Sequence, residues 1–197
     1  MIRFLLRAVH PIDRLNAAIG QGVRWLILVA VLICSGNASV RYILSTSSNA
    51  WLEAQWYLFA AVFLLGSGYT LLRNEHVRID VFSARASHRT QAWIDIFGTV
   101  VFLLPMALLV IWLSWPVFVD SYALQEGSSD AGGLLRWPVK LLIPVGFTLL
   151  ALQAIAELVK RIAFLKGLSP DPFTHPAEHA ADLLILDELK GKEDATK

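Results

Sequence analysis

Hydrophobic positions along this chain fall into four long blocks that short polar links separate. The blocks cover residues 23–44, 51–72, 92–119 and 138–162. Each block reaches the ~20 apolar residues that an α-helix needs to cross a ~30 Å hydrocarbon core. A segment inside that core has no water to bond with, so it must satisfy its own backbone hydrogen bonds as a helix. The pattern therefore predicts an all-α, polytopic membrane protein with four transmembrane helices.

Basic residues are distributed unevenly between the two sides of this arrangement. The N-terminal flank, the link between the second and third blocks, and the segment after the fourth block carry most of the Lys and Arg residues. The other two links and their borders carry only Arg41, Arg136 and Lys140. Lys and Arg accumulate on the cytoplasmic side of membrane proteins. We therefore expect both termini and the middle loop to lie in the cytoplasm, an N-in/C-in topology.

The two flanks of the blocks differ in character from the blocks themselves. Residues 1–22 place apolar side chains on one helical face and arginines on the other, with Pro11 interrupting the turn. We expect this segment to be a cytoplasmic interfacial amphipathic helix lying on anionic lipid; the alternative is that it only lengthens the first membrane helix. After the four-helix membrane domain of residues 23–165, prolines 170 and 172 stop the last helix. Residues 166–197 are expected to form a cytoplasmic tail that is partly disordered.

Composition supports the membrane assignment and removes several functions. Of the 197 residues, 56% are hydrophobic and 17% are charged, against the ~25% charged residues of an ordinary soluble domain. All five histidines lie in flanks or links, so no axial haem ligand is available inside a helix. His175–His179 matches the H-x-x-E-H pattern of one zinc-peptidase class, but no catalytic domain surrounds it. We expect no enzyme activity, no cofactor and no metal site.

Polar residues within the blocks indicate where the helices meet each other or a partner, because such residues are costly to place against lipid. Arg41 and Glu53 lie at a similar outer level, where they either form an ion pair or remain two separately solvated charges. Gln153, the deepest polar side chain of the fourth block, is expected to hydrogen-bond to a neighbouring helix. Asp95 is interpreted as an interfacial residue. The candidate partner-interface residues are Arg41, Glu53, Gln55, Glu126, Arg136, Lys140 and Gln153.

These polar residues do not form a transport path. A small self-sufficient transporter needs a charge near the midplane, or broken helices repeated around a central site, and the sequence has neither. Pro105, Pro116 and Pro144 can kink the third and fourth helices, while Gly66–Gly68 and Gly98 allow close helix approach. Four helices of this kind favour a scaffold that presents a face to a larger partner.

Several segments together resemble one known family. They are residues 47–60 (SSNAWLEAQWYLFA), 64–71 (LLGSGYTL), 73–81 (RNEHVRIDV), 125–134 (QEGSSDAGGL), 136–140 (RWPVK), 143–147 (IPVGF) and 152–153 (LQ). In this order and topology they resemble the Q-type small membrane subunit of tripartite ATP-independent periplasmic (TRAP) transporters, over about residues 25–164. Glu75, His76, Arg78 and Asp80 form the most specific part, a candidate cytoplasmic motif. Ser67 and Gly68 depart slightly from the family, in which small residues such as Ala are usual there.

The resemblance implies a function and a set of partners. Such subunits pair with a large membrane subunit that carries the substrate and sodium sites, while a soluble periplasmic binding protein delivers the substrate, typically an organic acid. The small subunit is then a fixed scaffold in the bacterial inner membrane, in contact with both partners and with lipid. The alternatives from other classes are a self-contained four-helix exporter and a membrane anchor of a quinone-linked enzyme. A midplane acidic residue would favour the exporter and histidines in the membrane the anchor, and the blocks contain neither.

Overall fold

The structure is a computed structural model that describes residues 2–46, 48–74 and 87–168, with side chains from Val9 onward. Its elements are α1 (Ile2–Leu44), α2 (Asn49–Leu72), α3 (His88–Gly98), a π-helical segment (Thr99–Leu103), α4 (Leu104–Ala123) and α5 (Trp137–Leu165). Within these ranges the only extended pairing is an isolated bridge between Gly127 and Leu135.

Four helical stretches are long and apolar enough to cross a membrane. They are Val9–Leu44, Asn49–Leu72, His88–Ala123 and Trp137–Leu165. The expected all-α fold with four transmembrane helices is therefore confirmed in the part of the chain that the structure describes. Each stretch extends beyond the predicted block at one or both ends, because helices continue past the apolar residues into their polar flanks.

The N-terminal flank does not form a separate helix in this structure. α1 runs without a break through Pro11, so the predicted interruption at that proline is not found and the interfacial amphipathic helix is not confirmed. Pro11 removes one backbone hydrogen bond, but Val9, Asn16 and Gly20 in the same segment are buried. Packing along this face compensates for the lost bond. The 43 residues of α1 extend ~65 Å, about twice the thickness of a hydrocarbon core.

The third membrane stretch contains a local change of helix type. Thr99–Leu103 is π-helical, and the backbone N–H of Leu104 donates to the carbonyl of Thr99. Pro105 follows directly, with no N–H of its own and a ring that clashes with the carbonyl four residues earlier. A wider turn relieves that clash. Pro105 can kink the third helix, but the sequence pattern does not predict the π-helical turn.

α5 is the central helix of the described bundle. It packs against α1, α2 and the α3–α4 stretch, and α1 also packs against α2. In the most apolar part of α5, half of the residues are buried inside the chain. In the corresponding part of the third membrane stretch, His88–Ala123, 6% are buried. The residues of α4 between Met106 and Val119 are mostly exposed and apolar. Most of the α4 surface therefore suits contact with lipid.

Small residues allow the closest helix contacts. A Cβ added at Gly146 of α5 would lie 2.7 Å from the carbonyl oxygen of Leu64 in α2, and one added at Gly68 of α2 would overlap Asn16 of α1. These contacts confirm Gly68 as a residue of close approach. Gly98 has no atom within 4 Å of such a Cβ, so it is not used in this way within the described chain.

Candidate functional site

The polar side chains of the bundle gather at its two ends. The link between α1 and α2 and the loop of residues 124–136 share one end, where Asn49 Nδ2 donates to the carbonyl of Ala131 over 3.1 Å. We call this the loop end. At the opposite end Arg89 donates to the carbonyl of Leu165 over 3.2 Å, joining the start of α3 to the close of α5. We call this the terminal end.

A cluster of buried amides and carboxylates joins α1 to α5 at the terminal end. Gln153 of α5 donates to Asp13 Oδ1 over 2.8 Å and to Glu157 Oε1 over 3.1 Å. Its own carbonyl oxygen accepts from Asn16 Nδ2 at 2.9 Å. Asn16 and Gln153 have no exposed surface. The expected hydrogen bond from Gln153 to a neighbouring helix is confirmed, and its partners lie in the flank preceding the first predicted block.

Ion pairs extend this cluster to α3. Arg161 lies 3.0 Å from Asp95 Oδ2 and 3.0 Å from Glu157 Oε2. Lys160 lies 3.2 Å from Asp13 Oδ1 and also pairs with Glu157. We call the whole set the terminal-end cluster; it consists of Asp13, Asn16, Asp95, Gln153, Glu157, Lys160 and Arg161. Because unpaired charges are very costly in a membrane interior, this pairing holds α1, α3 and α5 in one arrangement.

One polar atom of the cluster has no hydrogen-bond partner. The Oδ1 atom of Asn16 is buried and unpaired within the described ranges. It lies against Gly68, where any Cβ would overlap it. The absence of a side chain at residue 68 therefore makes room for the amide that carries the α1–α5 contact.

A second cluster shapes the loop at the opposite end. Glu53 of α2 is 7% exposed, and its carboxylate accepts from the Ser128 hydroxyl and, at 2.6 Å, from the backbone N–H of Leu134. Tyr57, one turn further along α2, donates to the carbonyl of Leu135 over 2.9 Å. The side chain of Glu53 and the hydroxyl of Tyr57 thus fasten both ends of the loop to α2.

Charged contacts inside the loop complete this cluster. Lys140 at the start of α5 pairs with Glu126, and Arg136 donates to the Ser129 hydroxyl over 3.0 Å. The hydrogen bond from Lys140 holds the pKa of the Glu126 carboxyl below its usual range. The loop-end cluster consists of Asn49, Glu53, Tyr57, Glu126, Ser128, Ser129, Arg136 and Lys140.

The structure separates the candidate partner-interface residues by accessibility. Glu53, Gln55 and Gln153 are buried inside the chain, and Arg41 is exposed. The alternative Arg41–Glu53 ion pair is not formed among the described residues, since Glu53 is bonded to the loop instead. Glu126, Arg136 and Lys140 are half-buried in the loop-end cluster. As contacts to another protein, all of these residues remain predictions.

Several sequence predictions fall on residues that the structure does not describe. The motif of Glu75, His76, Arg78 and Asp80 lies outside the described ranges, as do the histidines of the H-x-x-E-H match and nearly all of the expected tail. Within the described ranges, no group of His, Cys, Asp and Glu side chains is arranged to hold a metal ion.

Sequence reasoning missed the partners of the terminal-end cluster. Asp95, which the sequence pattern places at the interface, also pairs with Arg161, and the pattern assigns no partner role to Asp13. A usable signal was present in α5, where Gln153, Glu157 and Arg161 repeat at four-residue spacing on one face. A polar stripe of that kind on an apolar helix predicts polar partners on neighbouring helices.

Comparison with known proteins gives one match. A family model described as "Tripartite ATP-independent periplasmic transporters, DctQ component" matches residues 21–164. No curated protein and no solved structure matches the chain. The matched span contains the whole loop-end cluster, but Asp13 and Asn16 of the terminal-end cluster precede it.

Proposed function

Since the chain belongs to the DctQ family of tripartite ATP-independent periplasmic (TRAP) transporters, we propose that it is the scaffold subunit on which a large permease subunit is fixed. The family is a transporter component, so the chain is a multi-pass membrane protein of a transport system and not an enzyme. In this proposal the large subunit moves the solute, and the small one provides a stationary support in the bacterial inner membrane.

The use of the buried charges supports the scaffold role. Among the described residues, the buried charged side chains are Glu53, Glu157 and Arg161. Each of the three is bonded within the chain, Glu53 to the loop and the other two to each other. A substrate or ion site requires membrane-embedded polar groups that remain available to a solute. These groups are occupied by contacts that fix helices and loop, which is what a rigid support requires.

The finer features of the proposal rest on the resemblance and on the basic residues. Uptake is driven by a sodium gradient, the solute is an organic acid, and a periplasmic binding protein delivers it. Both termini lie in the cytoplasm and the loop end faces the periplasm. Reporter fusions at Asn49 and Gly132 should then report a periplasmic location, and a fusion after Ser87 a cytoplasmic one. A periplasmic signal at Ser87 would contradict this orientation.

Reconstitution tests the scaffold proposal directly. The purified chain in liposomes, with a sodium gradient and labelled organic acids outside, should take up no solute. Co-expressed with a large permease subunit, it should purify in detergent as a one-to-one complex, and uptake should then require the binding protein. Gradient-driven transport by this chain alone would overturn the proposal in favour of a self-contained transporter.

The loop of residues 124–136 is the surface that we assign to the binding protein. A charge reversal such as Glu126→Lys or Arg136→Glu should weaken uptake and leave assembly of the two membrane subunits intact. Because Glu126 pairs with Lys140, the matched control is the exchange Glu126→Lys with Lys140→Glu, which restores the pair with opposite polarity.

The two variants separate docking from loop structure. If the loop contacts the binding protein through Glu126, uptake stays weak in the exchanged variant and improves as the binding-protein concentration rises. Full recovery in the exchanged variant would show that Glu126 only maintains the loop. Unchanged uptake at every concentration in the single variants would contradict a docking role.

A further inference from the structure

A groove of about 400 Å³ lies at the loop end between α2 and α5. The proposed scaffold role makes no use of it. Its lining consists of Glu53, Trp56, Tyr57 and Ala60 from α2, Asp130 and Arg136 from the loop, and Val139 and Lys140 from α5. The four α2 residues follow each other at spacings of three, one and three, so they occupy one face of that helix.

The four charged groups of the groove differ in how far they are already engaged. Glu53 is bonded to Ser128 and Leu134, and Lys140 is paired with Glu126. Arg136 uses one of its N–H groups on the Ser129 hydroxyl, which leaves further donors of its guanidinium available.

Asp130 is the remaining charged group. Its side chain is exposed, and its carboxylate has no hydrogen-bond or ion-pair partner in the described part of the chain. The lining of the groove therefore includes one guanidinium with available donors and one available carboxylate. This pair of opposite charges matches a zwitterion better than a simple anion or cation.

The aromatic lining of the groove is typical of the membrane interface. Trp56 is 67% exposed and lies ~10 Å along α2 from its first residue, Asn49. Exposed Trp and Tyr side chains concentrate at the headgroup level of a bilayer. Ala60 and Val139 form an apolar continuation of the groove next to these aromatic rings. The groove thus passes from a charged mouth to an apolar wall, as a phospholipid does from headgroup to acyl chain.

We propose that this groove binds a zwitterionic phospholipid whose headgroup is phosphoethanolamine. Arg136 receives the phosphate, because a guanidinium offers several N–H donors in a fork that fits its oxygens. Asp130 receives the ammonium, which has three N–H donors, whereas the quaternary amine of phosphocholine has none. An acyl chain follows Ala60 and Val139 beside Trp56. A phosphoglycerol headgroup supplies the phosphate but leaves the Asp130 carboxylate without a cation.

Native mass spectrometry of the full chain in detergent tests this assignment. The protein is mixed with equal amounts of phosphatidylethanolamine, phosphatidylcholine and phosphatidylglycerol that carry identical acyl chains. We expect phosphatidylethanolamine to be retained about fivefold over either competitor, the preference that one exposed ion pair provides. Equal retention of the three lipids would overturn the proposal.

Variants assign the two headgroup contacts separately. Asp130→Asn should lower retention of phosphatidylethanolamine to the level of phosphatidylcholine, and the fold is preserved because this side chain has no partner among the described residues. Arg136→Gln should lower retention of all three lipids, and Arg136→Lys, which keeps the charge, should restore part of it. Asp120→Asn and Arg41→Gln are matched controls, since both residues are exposed charges at the loop end, and they should leave the preference unchanged.

A protein occupant of the groove would give a different result. If a helix of the large subunit fills it, the isolated chain shows no preference among the lipids and Asp130→Asn weakens formation of the two-subunit complex. That result would overturn the lipid assignment and leave the scaffold role standing. A preference that survives in Asp130→Asn would also overturn it, because the ammonium would then be bound elsewhere.

Discussion

The two polar clusters of this bundle stabilise different things. The terminal-end cluster joins side chains of three helices to one another, and its central ion pair between Arg161 and Glu157 is almost wholly buried. The loop-end cluster joins side chains of α2 and α5 to the backbone and side chains of one loop, and its Glu126–Lys140 pair is about one-third exposed at Glu126. The first therefore sets how helices sit against each other, and the second sets the shape of a surface.

This difference also follows the boundary of the family match. The loop-end cluster lies entirely within residues 21–164, whereas Asp13 and Asn16 at the terminal end come before them. The loop-end cluster is thus built from residues that the family model matches. The contact between the start of α1 and α5 depends on Asp13 and Asn16, which lie outside the matched span. Disrupting the terminal end should destabilise the bundle, and disrupting the loop end should change the loop alone.

The largest loss of stability is expected from a substitution at the centre of the terminal-end cluster. Arg161→Leu should lower the free energy of unfolding by about 3 kcal/mol, because it removes the buried cation that pairs with both Asp95 and Glu157 and leaves Glu157 to Lys160. The free energy is measured by denaturant titration of the detergent-solubilised chain. Lys166→Leu is the matched control, an exposed cation five residues away, and it should change little. Equal stability of the two variants would contradict a structural role for the buried pairs.

A smaller loss of unfolding free energy is expected from a change at the close contact between α1 and α2. Gly68→Ala introduces a methyl group that overlaps Asn16 Oδ1, and forced overpacking of this kind costs about 2 kcal/mol of unfolding free energy. Gly98→Ala, whose new methyl group meets no atom within 4 Å, should be neutral or slightly stabilising.

A double variant identifies the cause of that loss. Asn16→Ala removes the overlapping amide, so adding Gly68→Ala to it should cost much less than Gly68→Ala costs alone. Additive losses would mean that the methyl group at residue 68 acts through some other neighbour.

A local effect is expected from the carboxylate that fastens the loop. Glu53→Gln leaves one acceptor oxygen where the carboxylate offers two, and it removes the charge that strengthens the hydrogen bonds from the Leu134 N–H and the Ser128 hydroxyl. Limited proteolysis should then cleave residues 125–134 faster, while the unfolding free energy falls less than in Arg161→Leu. Asp120→Asn serves as the control at the same end. A loss of global stability as large as that of Arg161→Leu would remove the distinction between the clusters.

The smallest effect is a pH dependence of the loop. Lys140 holds the pKa of Glu126 below its ordinary value of 4.5, so folding favours the ionised carboxylate. The contribution of this group is fully present above pH 4.5 and is lost as the pH falls through the lowered pKa of the folded state.

We therefore expect the proteolysis rate of the loop to be constant from neutral pH down to about 5 and to rise only below 4.5. Glu126→Gln should reduce that acid-dependent step, while Asp130→Asn, with an exposed carboxylate in the same loop, should retain it in full. An identical step in Glu126→Gln would assign the transition to another group.

How much of this structure could be predicted depends on the range over which each interaction acts. Four membrane helices and the grouping of residues 45–48 with residues 124–136 at one end follow from hydropathy and link order. The continuous path of α1 through Pro11 did not follow, because local helix propensity favours a break and burial of Val9 and Asn16 outweighs it.

The candidate site was predicted only in part, for a similar reason. Gln153 was correctly expected to bond to another helix, since a deep amide in a membrane helix needs a partner. Its partners Asp13 and Asn16 were not found, because they lie in a flank that hydropathy assigns to the membrane surface. The π-helical turn before Pro105 depends on how the backbone rearranges where the proline supplies no N–H. The sequence does not specify that rearrangement.

The sequence by itself determined the number of membrane helices and which links share an end. Both depend on the free energy of transferring each segment from water to hydrocarbon, and that free energy is a property of the segment alone. Only the tertiary structure decided that Glu53 bonds to the loop and not to Arg41, and that Arg161 reaches Asp95. These pairings depend on which helices pack together, and in a membrane that choice rests on close contacts and hydrogen bonds between distant residues.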